Sequence, residues 1–463
     1  MAGDEIKPQA HPPLKIPQSD ATVEVSTINT TTDIVVPAKA FVEPVQNGHE
    51  YMNMPTFAFL IENKKLGKTI MFDLGCRKDW WNHSPGSYAS VKNGIPGLNI
   101  PKNVNEILRE GGVDDKKIDA VVWSHWHWDH TGDLSLFPHS TDLYVGPGFK
   151  ENFMPGYPTN KDCPVLDEDF KGRAVHEVSF DTNDKIGAFP SHDLFGDGSF
   201  YILDVPGHAI GHISGLARTT SDTFVFLGGD ICHFGGSYRP TVYAPMPGTI
   251  PSSVPLDRRL PSPCPCSFFA GSHHDPENLR TSAFYNVTQE PGGWYVDPPT
   301  AQKSVKRLEV FDADENVFVC VAHDGGLIPV VDWFPNGTIN DWKKKGWKER
   351  SQWGFLNELP VDGQPGRPWI APGLVKEGKV MSKEELRVVD LNVPFVETSD
   401  SSLRLSNGFY FLFVPEQWLW IFVANSFIYC GETDSAVLWL AVGFNADMCE
   451  ASGRGELVGS EAW

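Results

Sequence analysis

The chain has no stretch of about 20 uninterrupted apolar residues, the length a membrane-spanning helix needs. Its most apolar run, GFYFLFVPEQWLWIFVANSFIYC, is broken by Pro415, Glu416, Gln417 and Asn425, which predicts a buried β-hairpin there rather than a spanning helix. Positive charge is scarce: 38 Lys and Arg stand against 59 Asp and Glu, a formal net charge of -21. Such a balance repels phosphate backbones and anionic headgroups, so neither nucleic acid nor a membrane is the expected partner. The opening MAGDEIKPQAHPPLKIPQSD mixes both charge signs with proline and has no apolar core behind a basic start. It predicts no secretory leader, a cytoplasmic location and a loosely attached arm over residues 1–22. Cysteine is sparse too. Eight thiols in 463 residues, without the dense spacing of a disulfide scaffold, are expected to be reduced. Cys264 and Cys266 come nearest to a zinc clip, but the spacing is not CxxC and prolines stiffen it, so a turn-rich loop is expected.

What the chain does have is a succession of short apolar runs broken by Gly, Asn and Pro: VEVSTI, FAFLIE, KTIMFDLG, KIDAVVWSH, DLYVG, SFYILDVPG, FVFLGGD and NVFVCVAHDGG. These predict strands, the second and third joined as a hairpin. NVNEILREGGV and PTAQKSVKRLEVF predict helices between them, so helices layered on sheet are expected over a catalytic domain of residues 23–360. Residues 235–286, rich in Pro, Ser and Gly, are expected to form a lid that recognises substrate. Residues 361–463 do not resemble what precedes them and form an extension without an assigned role.

The chemistry concentrates in Ser124-His125-Trp126-His127-Trp128-Asp129-His130. A strand, DAVVW, leads into this loop, and extended geometry turns His125 and His127 to one side, Trp126 and Trp128 to the other. Where the chain bends into a helix, Asp129 and His130 can hold a second ion beside the first. Imidazole and carboxylate suit Zn²⁺, and four such groups within six residues are hard to explain by packing.

The motif resembles the HxHxDH signature of the metallo-β-lactamase superfamily, and three later landmarks match as well: His208 in DVPGHAIGH, Asp230 in FLGGDICH and His323 in VAHDGG. The resemblance implies an α+β fold, a four-layer αββα sandwich with an irregular C-terminal extension, and two Zn²⁺ per chain. His125, His127 and His208 would hold one ion and Asp129, His130 and His323 the other, with Asp230 bridging them. Within the superfamily the chain looks closest to the acyl-homoserine-lactone lactonase branch and its fungal relatives, which include lactamases acting on benzoxazolinones. The implied function is opening of a small cyclic ester, amide or carbamate, a secondary metabolite or xenobiotic, by water activated between the metals. Asp129 would steer that water and carry a proton to the leaving group. Where bacterial lactonases have tyrosine, three residues after the bridging aspartate, this chain has His233. His233 would then be a second catalytic residue, donating a hydrogen bond to the oxyanion or leaving group, or else a satisfied loop histidine. The alternative function is a thioester hydrolase of glyoxalase II or polyketide-releasing type. A scaffold organised by the C-terminal segment is the non-enzymatic reading, and the intact ligand set weighs against it. Asp73 and His212 are expected behind the ligands, His273 and His274 in solvent, and the tryptophans mostly in the core.

Overall fold

The computed structural model describes residues 5–382 and 385–386, and four strands between 408 and 441. The strand expected at VEVSTI runs on to Glu24–Pro37, because the β-branched TTTDIVV prolongs the extended preference. It pairs antiparallel with Tyr51–Asn63, which turns back into Lys68–Phe72 as the hairpin read from sequence. Ala120–Val122, Asp142–Val145 and Val175–Glu177 add in parallel, and Gly97–Asn99 closes the far edge of a seven-stranded sheet. A second sheet has six strands, in the order Val317–Cys320, Phe224–Leu227, Ile213–Arg218, Phe200–Asp204, Phe189–Asp193 and Lys185–Ile186.

Side-chain alternation stacks these sheets. Along Tyr51–Asn63, Phe57, Phe59 and Ile61 join Phe72, Val122, Phe200, Ile202, Val225 and Phe318 in the core between the sheets. Ala58 and Leu60 point the other way, against Leu108, Phe149 and Phe153 of the outer helices. On the far side, Leu216, Phe226 and Val319 meet Val305, Leu308 and Phe311 of the helix Pro298–Ala313. Both helices start where their sequences specify. Asn103 and Glu106 form a reciprocal capping box, and Asp297 caps a helix that opens on two prolines. The result is the expected helix–sheet–sheet–helix sandwich.

Several expectations are corrected. The arm over residues 1–22 is not loose from residue 5 onward. Leu14 is buried, and the backbone is tied at Gln9 to Val242, at Leu14 to Gly187 and at Pro17 to the Arg218 guanidinium. The catalytic unit does not end at 360 but continues to Leu386. Val375 O accepts from the Trp80 indole and Gly373 O from Leu98 N, so this segment is stitched to the sheet edge. The second unit, Arg387–Trp463, is less irregular than expected and holds four antiparallel strands, Gly408–Val414, Gln417–Ala424, Phe427–Glu432 and Ser435–Ala441, where sequence suggested a single hairpin. No helix among the described residues is long and apolar enough to cross a membrane. The six cysteines whose side chains are described are free thiols, Cys264 and Cys266 among them; the side chains of Cys430 and Cys449 lie outside the described residues.

One buried carboxyl gives the fold a pH signature. Asp169 is buried, and its Oδ1 has no hydrogen-bond partner among the described residues. Burial, reinforced by Asp133, pushes its carboxyl up to about 8, with Arg77 opposing. Between about pH 4 and 8 the folded protein therefore holds a proton that the unfolded chain has released, so stability falls as pH rises through that window. Asp169→Asn is expected to remove this slope. In urea unfolding the stability gained by the variant over wild type should be larger at pH 8 than at pH 5.

Candidate metal centre

Four strand ends deliver the chemistry to one edge of the sandwich. His125, His127 and His130 follow Ala120–Val122, His208 follows Phe200–Asp204, Asp230 follows Phe224–Leu227 and His323 follows Val317–Cys320. The loops are shaped by residues with restricted alternatives. Asp73 sits at φ +60, which turns its carboxylate to accept from Ser124 N at 2.7 Å and to meet His130 Nδ1 at 2.8 Å. Gly229, at φ +52, leaves room that a Cβ would take from Ser124 and His212, and Gly207 lets the chain pass against the backbone of Ala301.

All seven residues singled out from sequence come together, in two groups that share Asp230. His125, His127, His208 and Asp230 form one, and Asp129, His130, His323 and Asp230 the other, each with its ligand atoms within 4.8 Å of one another. In the first, His208 Nε2 lies 2.9 Å from His127 Nδ1 and 3.2 Å from His125 Nε2. Tetrahedral zinc with bonds of about 2.0–2.1 Å sets its ligand atoms roughly 3.3 Å apart, close to this spacing. Asp230 divides its oxygens between the groups. Oδ2 is 3.4 Å from His208 Nε2, while Oδ1 is 3.1 Å from both His130 Nε2 and His323 Nε2. Asp129 Oδ2 completes the second group, 3.5 Å from His323 Nε2.

The donor chemistry fits cations. His130 Nδ1 donates to Asp73 and His323 Nδ1 to Pro55 O at 3.0 Å, so each turns its Nε2 inward; burial opposes charge on both rings, but Asp230 holds them above the ordinary histidine range, and a bound cation would take the place of the Nε2 proton. Those two Nε2 atoms and Asp230 Oδ1 are buried without a hydrogen-bond partner among the described residues, which is costly unless something else satisfies them. Burial, with neighbouring imidazoles, holds His125 and His208 well below the ordinary histidine range, and burial holds His127 down to about 3, leaving them neutral and able to ligate. Burial works against Asp230, but His130, His233 and His323 keep its carboxyl well below the usual range and hence ionised.

The non-ligand residues sort less evenly. His212 supports the site from behind, as expected: its Nε2 accepts from Asp230 N and its Nδ1 donates to Val205 O, both at 2.9 Å. His273 is buried rather than solvent-facing, and bonded to Ser282 O; His274 is exposed. Next to the ligands lies a tight cavity of about 10 Å³, room for about one water, lined by Ile34, Phe41, Ile95, Trp128, His233 and Trp294 among others. Trp128 does not face away from the histidines with Trp126, because the helix Trp128–Thr131 has already ended the strand-like alternation. No described residue of 235–286 lines this cavity. That segment instead buries Met246, Ile250, Val254 and Phe269 in the core outside the second sheet. His233 lines the cavity with Nε2 3.0 Å from Asp230 Oδ2 and Nδ1 2.9 Å from the Tyr295 hydroxyl. Tyr295, Phe41 and Ile95 escaped the sequence reading, since nothing in their local pattern sets them apart from core residues.

Such a sandwich, with two cation-suited groups at one edge, defines a class of metal-dependent hydrolases. The chain belongs to the metallo-beta-lactamase superfamily, whose profile matches residues 52–229. It is 45% identical over 364 residues to Gamma-lactamase FDB1 of Fusarium pseudograminearum, covering 76% of this chain and 86% of that one. It is 44% identical over 245 residues to Gamma-lactamase MBL2 of Gibberella moniliformis, covering 52% of this chain and all of the relative. A solved structure of a B. thuringiensis AiiA variant with N-decanoyl-L-homoserine at its active site is 16% identical, covering 69% of this chain and all of that one at a TM-score of 0.45. The chain is thus a metallohydrolase of lactamase or lactonase type.

Proposed function

We propose that this protein is a dinuclear-zinc hydrolase that opens a small, uncharged cyclic amide, carbamate or ester. The observation that carries the reading is Asp230, with one oxygen in each of two adjoining ligand groups. Bound there, such ions lower the pKa of a shared water towards neutrality and polarise a substrate carbonyl. His125, His127 and His208 would hold one ion, Asp129, His130 and His323 the other, with Asp230 between.

The chemistry of the cavity lining supports a ring substrate. Phe41, Trp128 and Trp294 offer ring faces, and Ile34 and Ile95 offer aliphatic contact. Among the described residues its acidic members are Asp129 and Asp230 and no Lys or Arg lines it, so no side chain there would pair with a substrate carboxylate. A γ-lactam or benzoxazolinone-like ring suits this lining, and the two relatives named gamma-lactamases favour ring amides. Asp129 also lines the cavity, which places its carboxylate where it could pass a proton to the departing ring heteroatom. A thioester hydrolase would need a groove for a long thiol carrier, and its activity on a thioester separates it from the ring-opening reading.

Metal analysis of the purified protein, together with a panel of aliphatic lactone, aromatic lactone, benzoxazolinone, thioester and penicillin, tests the reading. Two zinc ions per chain and preferred opening of the compact uncharged rings are expected. Preference for the thioester or the carboxylate-bearing penicillin would refute the substrate assignment.

A further inference from the structure

Asp230 can serve two ligand groups only if its carboxylate keeps one orientation. Its backbone is fixed by the bond from its N–H to His212, whose ring is itself anchored on Val205 O. The carboxylate torsion is not fixed by that bond. Apart from the ligand imidazoles themselves, the carboxylate meets His233, three residues on, whose hydrogen bonds have a definite direction. An ionised carboxylate only accepts, so His233 Nε2 carries the hydrogen and donates to Asp230 Oδ2 at 3.0 Å. Nδ1 of the neutral ring then presents a lone pair, and the Tyr295 hydroxyl donates to it at 2.9 Å. All three side chains are buried, and Phe41 packs on the His233 ring with centroids 4.3 Å apart.

We propose that Tyr295 is a positioning residue: by fixing the His233 tautomer it holds Asp230 Oδ2 turned towards His125, His127 and His208. The inference rests on the reading of Asp230 as a bridge between two metals. Without the Tyr295 hydroxyl, His233 is free to take the other tautomer, which would set a lone pair against Asp230 Oδ2 in place of a donor. His233 therefore acts on the carboxylate, a role distinct from contact with substrate.

The test compares the zinc-loaded wild type with Tyr295→Phe, His233→Leu, the double variant and His233→Gln. Zinc per chain is counted after dialysis against graded chelator, and kcat and KM are measured on the best ring substrate. Tyr238→Phe is the control, because it removes another buried hydroxyl, one with no hydrogen-bond partner among the described residues. Tyr295→Phe should release one zinc about 10- to 100-fold more readily, the range seen for groups that orient metal ligands, and lower kcat with KM little changed. The double variant should be no worse than His233→Leu, since the two residues act in series. His233→Gln, whose amide can donate to Asp230 and accept from Tyr295, should restore much of the retention, and Tyr238→Phe should behave as wild type. Unchanged zinc retention in Tyr295→Phe, or additive losses in the double variant, would overturn the proposal. If Tyr295→Phe fails to fold, the contrast between His233→Gln and His233→Leu decides, and equal retention in those two overturns it. A wild type holding fewer than two zinc ions would instead refute the dinuclear reading, and this proposal with it.

Discussion

Asp230→Asn is expected to abolish ring opening and to lower the metal content from two ions per chain towards one. The change keeps the shape of the side chain but replaces one of its two oxygens with an NH₂ group, which donates hydrogen bonds and cannot ligate. Each Asp230 oxygen serves a different set of imidazoles, Oδ1 at 3.1 Å from His130 and His323 and Oδ2 at 3.4 Å from His208, so either orientation of the amide deprives one group of its shared ligand. A loss of about 10³-fold or more in kcat/KM is expected, at least the scale of removing a preorganised electrostatic group from an active site. Elemental analysis and steady-state kinetics on one sample measure both quantities. Two ions and near-normal turnover would show that Asp230 is no bridge.

Asp129→Asn is expected to behave differently, with turnover falling further than metal content. Asp129 Oδ2 lies 3.5 Å from His323 Nε2 and 3.8 Å from His130 Nε2, at the margin of its group, and the residue also lines the cavity. His130, His323 and Asp230 remain to hold the second ion, whereas no other carboxyl lining the cavity is free of the bridging position to carry a proton. Removing a general acid costs about 10²- to 10⁴-fold, so kcat should drop within that range while most of the metal stays bound. Equal losses of metal and turnover would reduce Asp129 to a ligand alone.

The contrast between these aspartates reflects what sequence can and cannot reveal. His125, His127, Asp129 and His130 are legible because a strand and a turn bring neighbours in sequence together, so spacing alone states their convergence. His208, Asp230 and His323 are legible only through resemblance, because sheet order, which sequence does not print, decides that their strand ends meet. Trp128 is misjudged because period-two alternation was carried one residue past the point where the helix begins. The packing of segment 235–286 is hidden from sequence for a different reason. Proline and glycine mark irregular backbone, but burial of Met246, Val254 and Phe269 depends on a partner surface built partly from Phe355 and Leu356, a hundred residues away. Tyr295 is invisible for the same cause, since its meaning lies in a hydroxyl that meets His233 across 62 residues.

The account depends on two cations held side by side with Asp230 between them, and anomalous diffraction at the zinc absorption edge from crystals of the native protein tests this directly. Two peaks roughly 3.5–4 Å apart are expected. One should lie among His125, His127 and His208, the other among Asp129, His130 and His323, with an oxygen of Asp230 directed at each. A single peak, or two peaks with Asp230 turned away from either, would contradict it.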